Sequence, residues 1–233
     1  MRLLLCGGGS KEKTKLVNEI FNELIDHSKP LLYIPLAMDS TDNKYESCYT
    51  WINEEMQSIN LIGIEMVTSF EELKNKDFNS YCAIFIGGGN TFKLLKGLKD
   101  HDIYKKIEDY VLNNGILYGG SAGAVIFGKN INSILSTDDN YVNLKDTTGY
   151  NLLEGKSLFC HYTNKRSKLT EEENAIRHKY ITDTLINYTR ENEEVIALPE
   201  EDTLYINGDM IKVIGTKNYY IFKNGEIIEN KII

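Results

Sequence analysis

Gly119-Gly120-Ser121-Ala122-Gly123 is the segment of this 233-residue chain best equipped for chemistry. It is a Gly-x-Ser-x-Gly pattern, preceded by the apolar run Ile116 to Tyr118, which reads as a strand, and followed by Ala122 to Phe127, which reads as a short buried helix. A serine on a tight strand-to-helix turn projects its Oγ from the end of a sheet. The backbone there is strained, and the turn closes only around small neighbours. Gly119, Ala122 and Gly123 meet that need, and a helix start behind Ser121 would place partial positive charge where an oxyanion develops. The chemistry implied is nucleophilic acyl transfer; the alternative is a glycine-rich turn without catalytic meaning.

A serine nucleophile needs a base. The chain has four histidines: His27, His101, His161 and His178. His27 closes a helical pattern, His101 lies in a polar loop and His178 sits on a charged helix. His161 follows the apolar run Leu158-Phe159-Cys160, which places it at the carboxyl end of a strand and makes it the candidate base. The base in turn needs a carboxylate to fix its tautomer. Val195 to Leu198 reads as a strand, and Pro199-Glu200-Glu201-Asp202 follows it, so Glu200 is the candidate orienting acid, with a plain acidic turn as the alternative.

These residues need a scaffold that brings strand ends together. Strand patterns at Leu3 to Cys6, Leu31 to Leu36, Ile64 to Val67, Cys82 to Ile86 and Ile116 to Tyr118 alternate with helical patterns, among them the stripe Leu16, Val17, Ile20, Phe21, Leu24. That order predicts an α/β fold: a mostly parallel sheet with helices on both faces and ligands bound beyond the carboxyl ends of its strands. The turns at 87–89 and 119–123 fall on one such rim, and 157–161 and 195–200 are expected to join it. Near the C-terminus, Asn207-Gly208 and Asn224-Gly225 between apolar runs predict two antiparallel hairpins, added to the sheet edge or forming a small ribbon. With no linker or repeat in sight, the whole of 1–233 reads as a single domain.

An apolar share of 42% supports a sizeable core, and a net charge of −8 makes nucleic acid and anionic lipid poor partners. The four cysteines, Cys6, Cys48, Cys82 and Cys160, show no Cys-x-x-Cys spacing, and three sit in apolar runs. That usage points to a reducing compartment. The apolar stretch at the N-terminus is too short for a signal sequence and no run is long enough to span a bilayer, so a cytoplasmic location is expected.

Four segments together resemble a known family: Ile86-Gly87-Gly88-Gly89-Asn90-Thr91-Phe92, Gly119 to Ala124, Cys160-His161-Tyr162-Thr163-Asn164 and Leu198-Pro199-Glu200. The chain resembles the S51 serine peptidases, the dipeptidase E family, over nearly its full length. The resemblance implies a class I glutamine amidotransferase-like (flavodoxin-like) fold with Ser121 as nucleophile, His161 as base and Glu200 as orienting acid. In that setting Gly88 or Gly89, with Ala122, are candidates for the oxyanion hole, because side-chain-free turns expose backbone N–H groups. A dinucleotide-binding role for the glycine turns fails, since neither continues as Gly-x-Gly-x-x-Gly.

Two departures bear on substrate choice. The family carries a Trp before the serine, where this chain has Gly120, and its aspartate recognition is associated with an arginine after the histidine. Arg166, Lys168 and Arg177 are the candidates here, and Asp138 or Asp139 is the counterpart of an aspartate beyond the nucleophile helix. Asn90, Asp139 and Arg166 are thus the expected substrate contacts. The function implied is hydrolysis of short peptides through an acyl-enzyme, by a monomer or homodimer, with no metal or organic cofactor required. Hydrolysis of another amide, isopeptide or ester bond remains an alternative, as does a non-catalytic homologue that binds a small ligand.

Overall fold

The structure, a computed structural model, describes residues 1–38 and 44–232. In chain order the elements are β1 (Arg2–Cys6), α1 (Lys15–Leu24), β2 (Leu31–Ile34), α2 (Lys44–Glu55), β3 (Ile64–Met66), α3 (Phe70–Lys74), β4 (Ala83–Ile86), α4 (Thr91–Asp100), α5 (Ile103–Leu112), β5 (Ile116–Gly120), α6 (Ala122–Val125), β6 (Ser157–Phe159), α7 (Glu171–Tyr188), β7 (Val195–Ala197), β8 (Thr203–Asn207), β9 (Met210–Ile214), β10 (Tyr219–Lys223) and β11 (Glu226–Asn230). A seven-stranded sheet has the order β3-β2-β4-β5-β1-β8-β9. Its first five strands are parallel, and β8 and β9 add antiparallel to one side. The predicted mostly parallel α/β sheet is what the chain forms.

Alternation along the strands sorts the core onto two faces. Leu4, Tyr33, Phe85 and Tyr118 point to one face, where they pack with Val17 and Phe21 of α1 and Ile52 of α2. Leu3, Leu5, Ile34, Ile84, Ile86 and Leu117 point to the other and meet Phe92 and Leu95 of α4 and Ile107 of α5. Most of these side chains are fully buried, each worth about 1.5–3 kcal/mol relative to exposure.

One expectation is corrected. The strands that precede His161 and Glu200 are not in the main sheet. β6 and β7 pair with each other in parallel, and the second hairpin joins them in a separate sheet of order β11-β10-β7-β6. Only the first hairpin extends the main sheet. The Asn224-Gly225 turn has positive φ at both residues, 53° and 79°, as a two-residue hairpin turn of the favoured hand requires. Sequence patterns give strands but not partners, because both sheets use the same buried apolar runs.

The two sheets are joined through the segment 198–202 between β7 and β8. Leu198 N–H donates to the Phe159 carbonyl (2.8 Å), and Gly7 N–H, just past β1, donates to the Asp202 carbonyl (2.8 Å). Asp202 is fully buried. Its Oδ1 accepts from the Thr216 and Lys217 N–H groups at 3.1 Å each, whereas Oδ2 has no hydrogen-bond partner among the described residues. Burial, opposed by those two bonds, pushes this carboxyl up from 3.8 to about 6. A carboxyl raised on folding stabilises the fold below its unfolded pKa, and that contribution is lost as pH rises through the folded value. Asp202→Asn should therefore flatten the decline in stability between about pH 4 and 7. Urea unfolding of both proteins across that range checks it; identical slopes would contradict it.

Candidate active site

Adjacent strands β1, β4 and β5 of the main sheet each run into a glycine turn at their carboxyl ends: Gly7-Gly8-Gly9, Gly87-Gly88-Gly89 and Gly119-Gly120. Ser121 stands at the end of the middle strand with φ 52° and ψ −113°, a conformation costly for any residue but glycine. Its N–H donates to the Cys6 carbonyl (3.1 Å), and its own carbonyl accepts from Ala124 and Val125, which locks the turn. The small neighbours are required. A Cβ at Gly119 would fall 2.4 Å from the Gly123 carbonyl oxygen, and one at Gly123 would fall 2.2 Å from the Ile86 carbonyl oxygen. The helix that follows is shorter than expected, four residues rather than six, so individual N–H groups rather than a long helix dipole face any developing charge.

His161 is reached from the other sheet, with left-handed φ of 58°. Its N–H donates to the Gly7 carbonyl (2.9 Å), which ties it to the end of β1. The imidazole lies between two partners: Nε2 is 2.8 Å from Ser121 Oγ, and Nδ1 is 2.8 Å from Glu200 Oε1. Glu200 is held in place by its own N–H, which donates to Asn164 Oδ1 (2.8 Å), and by Lys13 Nζ, which donates to Oε2 at 2.5 Å. The hydrogen bond from His161, opposed by desolvation and reinforced by Lys13, holds the Glu200 carboxyl down to about 2. It therefore stays a carboxylate throughout the neutral range. The hydroxyl, imidazole and carboxylate named from three distant stretches of sequence stand in one hydrogen-bonded row.

The remaining expected residues are placed as follows. Gly88 packs on the serine, since a Cβ there would sit 3.1 Å from Ser121 Cβ and 3.6 Å from its Oγ. Gly89 has φ +136° and faces the Ala37 carbonyl, 2.4 Å from where its Cβ would be. Ala122 is the first residue of α6, and its N–H, like those of Gly88 and Gly89, has no acceptor among the described residues. Asn90 caps α4: its Oδ1 accepts from Lys93 N–H and its Nδ2 donates to the Asp139 carbonyl, both at 2.9 Å. Asp138, rather than Asp139, enters the site, where its Oδ2 accepts from the N–H (2.9 Å) and hydroxyl (2.8 Å) of Thr91.

Two cavities open on either side of Ser121. One, of about 320 Å³, is lined by Thr91, Ala122, Asp138, Arg166 and Arg177 as well as Ser121 and His161. Arg166 and Arg177 both line this space, and burial, and then the charge of Arg166, lowers the Arg177 pKa below its ordinary value. The other, of about 380 Å³, is walled by Tyr33, Trp51, Phe85 and Tyr118.

Sequence reasoning missed Lys13, Asn164 and Gly8. The signal for Gly8 was the Gly7-Gly8-Gly9-Ser10 run after β1, which parallels the other two glycine turns. With φ +105°, Gly8 sits under the imidazole, and a Cβ there would lie 2.2 Å from His161 Cε1. Gly8→Ala should push the ring out of line and lower kcat at least about tenfold, because small misplacements of a catalytic group cost up to a hundredfold. Its thermal midpoint should fall as well, since alanine is strained at that φ. Steady-state kinetics on the folded variant checks this, and an unchanged kcat would refute it.

Among the described residues no helix is long and apolar enough to cross a membrane, and no group of three or more His, Cys, Asp or Glu side chains is arranged to hold a metal ion. Residues 3–214 match peptidase family S51. Peptidase E of Actinobacillus pleuropneumoniae serotype 5b (strain L20) is 27% identical over 99% of this chain and 96% of its own length. Peptidase E of Nostoc sp. (strain PCC 7120) is 30% identical over 89% of this chain and 81% of its own. Among solved structures, a peptidase from an acI-B1 Actinobacterium superposes with a TM-score of 0.69 at 20% identity, covering 98% of this chain and 96% of that one. A candidate peptidase E of Listeria monocytogenes EGD-e gives 0.67 at 24% identity, over 93% and 98%. At these identities the superpositions speak to the fold, whereas the family match runs from β1 to the end of β9 and takes in all three glycine turns with Ser121, His161 and Glu200: the chain belongs to peptidase family S51, whose members are peptide-bond hydrolases.

Proposed function

We propose that this protein hydrolyses short peptides by a serine mechanism in which Ser121, His161 and Glu200 act as a triad. The observation that carries the reading is the unbroken row from Ser121 Oγ to His161 Nε2 and from His161 Nδ1 to Glu200 Oε1, both steps 2.8 Å. Glu200, kept ionised, accepts a hydrogen bond from Nδ1–H and so leaves Nε2 as the acceptor for the serine proton. Ser121 Oγ attacks the scissile carbonyl while Nε2 takes the proton. The resulting oxyanion is met by Ala122 N–H with Gly88 or Gly89 N–H. The imidazolium then gives its proton to the leaving amine, and an ester to Ser121 remains. Water activated by the same imidazole releases the acid and restores the hydroxyl.

Two cavities of about 380 and 320 Å³ meet at Ser121, the scale of small-molecule sites, which supports a short substrate. A fluorophosphonate probe tests the nucleophile. Mass spectrometry should find the adduct on Ser121, and labelling elsewhere, or none on a folded protein, would remove the proposal. The same preparation should cleave members of a dipeptide library.

A further inference from the structure

The aromatic cavity has a construction that the catalytic row does not explain. Tyr33, Phe85, Tyr118 and Leu4 are register partners on adjacent strands β2, β4, β5 and β1, so they form one transverse row on one face of the sheet. Two residues further along those strands, on the same face, stand Gly87, Gly120 and Cys6, where the row of rings gives way to small residues. Trp51 of α2 covers the opening, its ring centroid 6.0 Å from that of Phe85 and 6.2 Å from that of Tyr33. The space so enclosed, about 380 Å³, reaches Ser121 and His161.

Gly120 is the unusual member. Gly87 has a tight neighbour, since a Cβ there would come within 3.1 Å of the Tyr33 hydroxyl. At Gly120 a Cβ would meet nothing closer than Phe85, at 3.8 Å, an ordinary contact, and the backbone lies outside the left-handed region. Neither packing nor conformation demands a glycine there. What its missing side chain leaves is room, next to the nucleophile.

The chemistry of the walls selects the guest. The lining holds no lysine or arginine among the described residues. The one carboxylate among its described residues, Glu55, is engaged elsewhere: Oε2 accepts from Lys11 N–H (2.7 Å), and Oε1 accepts from the Thr14 hydroxyl and from Asn18 Nδ2 (3.1 Å). Among the described lining residues a guest carboxylate would find no lysine or arginine, whereas a ring would find ring faces and edges at packing distance. We propose that this cavity is the subsite for an aromatic or bulky apolar side chain flanking the scissile bond, and that Gly120 keeps it open. The assignment rests on the peptidase reading above for the role of Ser121, but the binding itself does not require turnover.

Trp51 is the sole tryptophan of the chain, so its fluorescence reports on this cavity directly. Ser121→Ala protein, which should not consume substrate, is titrated with Phe-Ala, Ala-Phe and Ala-Ala. At least one phenylalanine peptide should bind about tenfold or more tighter than Ala-Ala and change the Trp51 emission, the lower end of what a hydrophobic pocket gives for a change in side-chain size. Wild-type kcat/KM values should follow the same order, and Gly120→Leu should remove the phenylalanine advantage. Equal binding of all three peptides, or phenylalanine binding without any change in emission, overturns the proposal. The titration decides it alone should Gly120→Leu not fold. Cleavage by the wild type with no aromatic preference would leave the peptidase standing and remove the subsite. Phenylalanine binding without cleavage would do the reverse.

Discussion

Ser121→Ala is expected to lower kcat for peptide hydrolysis by roughly 10⁴- to 10⁶-fold, the range found when the nucleophile of such a triad is removed. The loss is in the chemical step, because the methyl group that replaces CH₂OH cannot attack the carbonyl. Adding His161→Ala to that variant should cost little more, since a base without a nucleophile has nothing to activate. Stability should move in another direction. Ser121 holds φ 52° and ψ −113° against a steric penalty of about 1–3 kcal/mol. Alanine inherits the penalty and should unfold at nearly the same denaturant concentration, whereas Ser121→Gly should be more stable by about 1 kcal/mol. Single-turnover kinetics and urea unfolding on the three proteins check both halves. Substantial residual activity in the alanine variant, or a glycine variant no more stable than wild type, would contradict the respective half.

The second large effect is expected from Glu200→Gln. The amide is nearly isosteric, but its nitrogen presents donors where the carboxylate presented only acceptors. If the amide N–H faces the ring, Nδ1 becomes the acceptor, Nε2 carries the proton, and Ser121 loses its base. A decrease in kcat of about 10³- to 10⁴-fold is expected, by analogy with carboxylate-to-amide changes in related triads. The same substitution should alter the acid limb of stability. Glu200 is held at about 2, against an ordinary 4.5, first by His161 and then by Lys13. A carboxyl lowered on folding contributes stability above its unfolded pKa, and that contribution is lost as pH falls from about 4.5 toward 2. The wild type should therefore lose stability over that window more steeply than Glu200→Gln. The opposite order, or a kcat within tenfold of wild type, would show that the carboxylate does not orient the base.

Lys13 adds to this by occupying the second oxygen of Glu200. Its reach is possible because the short helical turn after Gly7-Gly8-Gly9 brings α1 back toward the 198–202 segment. A Cβ at Gly7 would lie 1.9 Å from the Pro199 carbonyl oxygen, and one at Gly9 would lie 2.2 Å from that of Glu200. The first glycine run is thus a socket for the acid-bearing turn, just as the third is the seat of the serine.

Most of the local structure was legible in the sequence because it rests on periodicity and on residues with few conformational options. The strand ending at Gly119-Gly120, the helix begun by Ser121, the glycine turn before Asn90 and the Asn-Gly hairpins follow from spacing and from backbone freedom, which each segment carries by itself. His161 and Glu200 could be selected by type and position because each lies just past a short apolar strand. Tertiary structure alone decided that those strands form a second sheet, that Gly7 and the 198–202 segment lace it to the first, and that Lys13 and Asn164 brace Glu200. It also decided that Asp138 rather than Asp139 enters the site, and that Gly120 opens on a wall of rings. The physical reason is common to all of these. Periodicity records which side of an element is buried, but not what lies against it, and contacts across 36 to 187 residues of chain are set by packing of whole layers rather than by any local preference.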